Sequence, residues 1–423
     1  MGRLTWGMEK VARTRLESLV RDLPKTDLHV HLDGSLRLTT LIELAQRQHV
    51  ELPAYTESGL RELVFKPHYR NLPEYLEGFR YTCAVLQDAE SLERTAFELA
   101  EDCIAEGTVY LEVRFAPQLH VGPKLALADS VRAVTRGLRR AESIHNARPE
   151  VVARQAPRFK AGVIVCALRF FNEHFGPEYA RILDVHRYAP KEEIFGMASL
   201  ELARAAGQLR EDGEPVVGFD LAGQEKGYPA SQHRKAYQAA HEGFLGKTVH
   251  AGEDYGAESI FQAIGDCHAD RIGHGVWLFD TSKIGPDVSD KSAYVNRLAQ
   301  YIADRRITIE VCLTSNQQTV PELSGDLSLH PFGEMRRRRI STTFCTDNRL
   351  VSNTTCTKEI LRAADAFQLR PDEIRDLIIY GFKRSFYPGS YLEKREYVRS
   401  IIDYADHVLE SAGFGPDPKR RHG

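Results

Sequence analysis

Two histidines, His29 and His31, stand one residue apart in the run TDLHVHLDG (26–34). Side chains at i and i+2 of a strand share a face, so both imidazoles can reach one ion. The spacing alone is equally met by two hydrogen-bonded interior histidines. His250, in KTVHAGE (247–253), and Asp347, in ISTTFCTDN (340–348), extend the set. Three imidazole nitrogens, one carboxylate and a water suit one Zn²⁺ with an open position for catalysis. Glu253 follows His250 by three residues, and His274 lies in RIGHG. Taken singly, such a carboxylate is a helix cap or a solvated charge, and such a histidine is core. Beside a metal, the pair supplies the proton transfers that hydrolysis at a carbon centre requires. Gly223 either lets a backbone amide approach a flat ligand or simply turns the chain. Asp33 either reaches the same mouth or caps a helix beginning near Ser35.

Such residues need a frame that gathers them. Eight short runs rich in Val, Ile, Leu, Thr and Phe recur along the chain: 26–34, 108–117, 161–170, 215–223, 247–253, 270–278, 307–316 and 340–348. They are too continuous to have a solvent-facing side, which is how strands buried on both faces of a parallel sheet read. Helical patterns separate them at 128–145, 192–209, 231–245, 257–265, 291–304 and 355–367. The polar residues fall toward the C-terminal sides of the runs. In a closed (β/α)8 barrel those ends converge on one mouth, whereas in an open sheet they are strung along an edge. The expected fold is therefore a TIM barrel, with 1–423 as a single domain. Residues 49–107 read as a helical insertion after the first strand, near the barrel mouth, and 368–423 as a C-terminal helical annex. The last stretch, GPDPKRRHG, is expected to fray.

Composition narrows the class. The 423 residues are 42% hydrophobic and 27% charged, which excludes a disordered, collagenous or disulfide-scaffold protein. Lys and Arg total 56 against 59 Asp and Glu, so no charge argument favours nucleic acid or an anionic membrane. Seven scattered cysteines without a C-x-x-C pair suit a reducing compartment. The N-terminal stretch lacks a signal-peptide core, and no run spans a bilayer, so a cytoplasmic protein is expected. GFLGKT resembles a phosphate loop, but His241 stands where its first glycine must be. The run Arg336 to Arg339 reads as a solvated helix face.

The ordered set PKTDLHVHLDGSL, FDLAGQE, TVHAGE, RIGHG, EVCLTSN and FCTDN resembles the adenosine deaminase family of metal-dependent amidohydrolases. It spans residues 24–348, about three quarters of the chain. The resemblance implies a (β/α)8 barrel with one Zn²⁺ per chain, held by His29, His31, His250 and Asp347. It implies hydrolytic removal of the 6-amino group of adenosine or a close 6-aminopurine nucleoside. Glu253 resembles the group that protonates purine N1. His274 resembles the group that orients and deprotonates the attacking water, with Asp347 also holding that water. His31, Asp33, Gly223 and Asn348 are the implied substrate contacts: Gly223 to N3 through its backbone, Asp33 to the ribose, Asn348 to N7. The commonest family form has a second aspartate where Asn348 stands, but an amide NH₂ can donate to N7 without needing a proton. Adenine or an aminofutalosine-type nucleoside is an alternative substrate with the same chemistry. A non-catalytic nucleoside-binding role is disfavoured because every ligand and proton-transfer position is filled. A metal pair bridged by a carboxylated lysine lacks its lysine, since the fourth run ends Leu221-Ala222-Gly223.

Overall fold

The computed structural model describes residues 13–414; GPDPKRRHG and the first twelve residues lie outside them. Eight strands follow in chain order: β1 Lys25–His31, β2 Thr108–Phe115, β3 Lys160–Leu168, β4 Val216–Ala222, β5 Gly246–Ala251, β6 Arg271–His274, β7 Thr308–Val311 and β8 Thr342–Phe344. Each pairs in parallel with the next. Closure comes from Asp347, just past β8. Its N–H donates to the His29 carbonyl at 2.8 Å and its carbonyl accepts from the His31 N–H at 2.7 Å. The chain is a (β/α)8 barrel.

Burial explains the composition of the strands. All eight residues of β2, TVYLEVRF, are buried although two carry charge. Helices cover the outer face, and the interior holds layers of side chains. The crossover helices bury one stripe each. Leu127–Asn146 buries Val131, Val134, Leu138 and Ala141 at helical spacing. Side-chain caps fix several starts: Asp88 accepts from the Ser91 N–H, Asp290 from Ala293 and Thr355 from Lys358.

The run 307–316 behaves differently from a single strand. β7 stops at Val311, and Leu313–Thr319 is a helix. A short apolar run does not distinguish a buried strand from a buried helix turn. β6 likewise ends at His274, where φ is +68°, and the next residue, Gly275, has φ +63°.

Residues 49–107 hold the helices Glu57–Leu63, Leu72–Leu76, Phe79–Val85 and Ala89–Ala105. The last packs along β2 and the helix Leu127–Asn146 and so serves as the barrel's own crossover. The segment before it meets the chain beyond β8: the Tyr75 hydroxyl lies 2.7 Å from Ser352 Oγ, and that of Tyr69 donates to the Val351 carbonyl.

After β8 and Cys356–Phe367 come the helices Pro371–Arg384 and Tyr391–Ser411. Between them Phe386 enters the lower end of the barrel. A Cβ on Gly246 would sit 2.4 Å from its ring, and one on Gly218 2.9 Å. The Arg271 guanidinium stacks 3.6 Å over the same ring. Two strand glycines therefore exist to admit an aromatic stopper.

Candidate active site

His29 and His31 extend from β1, His250 from β5 and His274 from β6, and Asp347 follows β8. The ligand atoms of His29, His250, His274 and Asp347 lie within 4.8 Å of one another. His31 Nε2 lies 3.2 Å from His250 Nε2 and 3.5 Å from Asp347 Oδ1, and His29 Nε2 lies 3.4 Å from that oxygen. Atoms bound about 2.0–2.1 Å from a tetrahedral ion stand about 3.4 Å apart, so these separations fit one metal. His29 Nε2 is buried with no hydrogen-bond partner, as a lone pair reserved for a cation is. The residues present thus fit a metal held by His29, His31, His250 and Asp347.

A buried charged layer beneath the histidines sets their tautomers. His29 Nδ1 donates to Glu310 at 2.7 Å, and His250 Nδ1 pairs with Asp220 at 3.1 Å. Both Nε2 atoms are thereby turned toward the cluster as acceptors. Arg114 joins the two carboxylates, at 2.8 Å to Asp220 and 2.9 Å to Glu310, and also donates to the Leu28 carbonyl. Arg271 pairs with Glu310 and Glu112. Burial alone would raise both carboxyls, but His250 and Arg114 hold Asp220 well below its usual range, and the two arginines do so for Glu310. With two guanidinium groups against three carboxylates, the layer leaves negative charge under the place a cation would occupy.

On the other side of the cluster, Glu253 Oε2 lies 3.6 Å from His274 Nε2. Burial, then the negative charges of Asp347 and Glu225, push the Glu253 carboxyl well above its usual range. A carboxyl so placed holds its proton to higher pH than a solvated one does. Burial pushes His274 well down, so its imidazole is neutral. His274 and Asp347 both hold left-handed backbone, with φ of +68° and +60°, a conformation non-glycine residues rarely keep without a compensating site.

The remaining expected contacts surround this group. Asp33 is buried and pushed up to about 7, chiefly by burial against opposing backbone N–H groups. Its Oδ1 has no hydrogen-bond partner, and His120 Nε2, also without one, lies 4.0 Å from Oδ2. Gly223 has φ +97°, and only the Arg169 nitrogen, at 3.8 Å, would meet a Cβ there; backbone conformation, more than space, asks for glycine. Asn348 is buried, its Nδ2 donating to the Tyr75 hydroxyl at 2.9 Å, its Oδ1 unpaired. A Cβ on Gly34 would lie 2.0 Å from that Oδ1.

Comparison with known proteins decides the family. The adenosine deaminase family model matches residues 24–194 and 195–404. The chain belongs to the adenosine deaminase family. A curated relative named adenosine deaminase, from Mycobacteroides abscessus, is 36% identical over 371 residues, covering 87% of this chain and 92% of that one. Two solved structures share the fold. An amidohydrolase from Burkholderia ambifaria with zinc bound has a TM-score of 0.72 at 18% identity, covering 94% of this chain and 95% of that one. An adenine deaminase from Arthrobacter aurescens has a TM-score of 0.68 at 22% identity, covering 90% and 99%. As a member of the adenosine deaminase family the chain is a hydrolytic deaminase acting on a carbon–nitrogen bond.

Within this deaminase, several site residues are not singled out by sequence. Asp220 and Glu310 were readable in principle, as lone carboxylates inside FDLAG and IEVCL, since a charge in a doubly buried strand needs a buried partner. Arg169 donates to the His250 carbonyl at 2.6 Å. Glu225 accepts from the N–H groups of Asp254 and Tyr255, fixing the turn that carries Glu253. His120 lies just beyond β2, in a run whose polar end gave no spacing pattern. Arg336, expected on a solvated face, instead pairs with Glu373 and donates to the Phe367 carbonyl.

Proposed function

We propose that this deaminase removes the 6-amino group of adenosine, or a close adenine nucleoside, by hydrolysis, using one Zn²⁺ at His29, His31, His250 and Asp347. The observation that carries the reading is Glu253: a buried carboxyl, its proton favoured by burial and neighbouring negative charge, beside a metal-fitted cluster. The bound zinc supplies a nucleophile from water at neutral pH. Glu253 donates its proton to ring N1, which drains electron density from C6. His274 and Asp347 hold the attacking water between them, and its proton passes to one of the two. Gly223 meets N3 through its backbone, and Asn348 offers an N–H to N7 with its orientation set by Tyr75. Asp33 and His120 present acceptors without partners to the sugar hydroxyls, and His31 borders the same side. The segment bearing Tyr69 and Tyr75 covers the mouth and limits water there.

The test is ammonia release by the zinc-loaded protein offered adenosine, deoxyadenosine, adenine and aminofutalosine in parallel. Rapid turnover of adenosine or deoxyadenosine, abolished by chelation, is the expected result. Release from adenine alone, or from none of them, rejects the nucleoside reading.

A further inference from the structure

His274 is held from behind by two side chains with no part in the reaction as described above. Asn316, on the helix Leu313–Thr319 after β7, places Nδ2 3.0 Å from His274 Nδ1. Its Oδ1 lies 3.2 Å from His330 Nε2. His330 Nδ1 in turn lies 3.1 Å from the backbone nitrogen of Phe332. All three side chains are buried.

The polarity of this chain is fixed at its far end. A backbone N–H only donates, so His330 Nδ1 is an acceptor and carries no proton. The single ring proton of His330 is then on Nε2, where it donates to Asn316 Oδ1. That settles the orientation of the amide, whose Nδ2 donates to His274 Nδ1. His274 Nδ1 is thereby an acceptor, and its ring proton is on Nε2, the nitrogen 3.6 Å from Glu253 and facing the metal cluster.

We propose that His330 and Asn316 are positioning residues that lock His274 with its proton on Nε2, so that His274 serves the reaction as a hydrogen-bond donor and not as a base. The inference rests on the deaminase reading above and departs from the family resemblance at one step. A ring nitrogen that already bears a proton has no lone pair for a proton from water. Of the two groups flanking the water, Asp347 therefore takes the proton: the water O–H bond breaks, its electron pair forms the new bond to C6, and the proton passes to the carboxylate. His274 donates to the oxygen being added, where charge develops. That is the work of an oxyanion donor, and loss of one costs about 10²–10³-fold in kcat.

The decisive measurement needs no variant that perturbs folding. Long-range ¹H–¹⁵N correlation of the histidine side chains in the zinc-loaded, unsubstituted protein, with His274→Asn used only to assign the signal, reads the tautomer directly. A protonated Nε2 with an acceptor-type Nδ1 on both His274 and His330 is expected; a protonated Nδ1 on His274 overturns the proposal. Asn316→Asp supplies only acceptors and should move the His274 proton to Nδ1. It should lower kcat by about 10²-fold with KM within about twofold and zinc stoichiometry unchanged. Unchanged kcat in Asn316→Asp, with the proton shown to have moved, rejects the donor role. Absence of turnover by the unsubstituted protein is a separate result and counts against the substrate reading alone.

Discussion

Glu253 must be protonated to serve ring N1, and its surroundings favour the protonated form. Glu253→Gln keeps the shape but has no proton to give up, so kcat should fall by about 10²–10⁴-fold while zinc content and substrate binding persist. Near-normal turnover in that variant removes the acid role. The sign of the pH dependence follows from the raised carboxyl. The active, protonated form is fully present below the elevated value and is lost as pH rises through it. A kcat/KM profile should therefore fall on its alkaline side in the unsubstituted protein, and this limb should vanish in Glu253→Gln. Asn348 makes a second prediction at this scale. Replacement by Asp withdraws the N–H offered to N7 as well as the one given to the Tyr75 hydroxyl, so KM should rise about tenfold, the worth of one hydrogen bond, with metal content unchanged. An unchanged substrate profile means that position 348 does not read the base.

At the scale of elements, the metal ligands depend on β2, β4 and β7, which contribute none of them. Arg114, Asp220 and Glu310 set two imidazole tautomers from below. Asp220→Asn should weaken zinc binding about 10–100-fold, measured by competition with a chelator. The loop after β4 has its own pH signature. His233 is buried between Ser199 and the Arg169 carbonyl and is pushed down to about 3, mainly by burial. Unfolded histidine titrates near 6.5, so this group's contribution to stability is whole above about 6.5 and erodes as pH falls toward about 3. His233→Asn should flatten the loss of stability between pH 7 and 5 in urea titrations. The frame for all this was legible in sequence because strands covered on both faces read as short, near-continuous runs of β-branched and apolar residues, and the eight runs did. The ligands were legible because H-x-H and terminal acids mark strand ends. Asn316 was not, since a continuous apolar run hides the point where β7 becomes a helix. Nor were Arg114 and Arg169, because a single arginine in a strand or just past its end gives no sign of which carbonyl or carboxylate it will find across a barrel.

The whole molecule is closed in two places: at the side, where Asp347 joins β1 to β8, and underneath, where Phe386 fills the space left by Gly218 and Gly246. No helix among the described residues is long and apolar enough to cross a membrane. Phe386→Ala should cost about 3 kcal/mol, and Gly246→Ala, which forces a methyl into the ring, a comparable amount, both read by denaturant midpoints. A Gly246→Ala, Phe386→Leu double variant should recover part of the loss, because a smaller side chain concedes the space. The stopper also has a place in time. Synthesis runs from N- to C-terminus, so the ribosome releases every metal ligand before it releases Phe386. A nascent chain that has just passed Asn348 owns its full set of ligands but has an open base, through which water reaches Arg271 and the carboxylates that orient the histidines. The residue that closes the base is thus made only after every proposed ligand of the site.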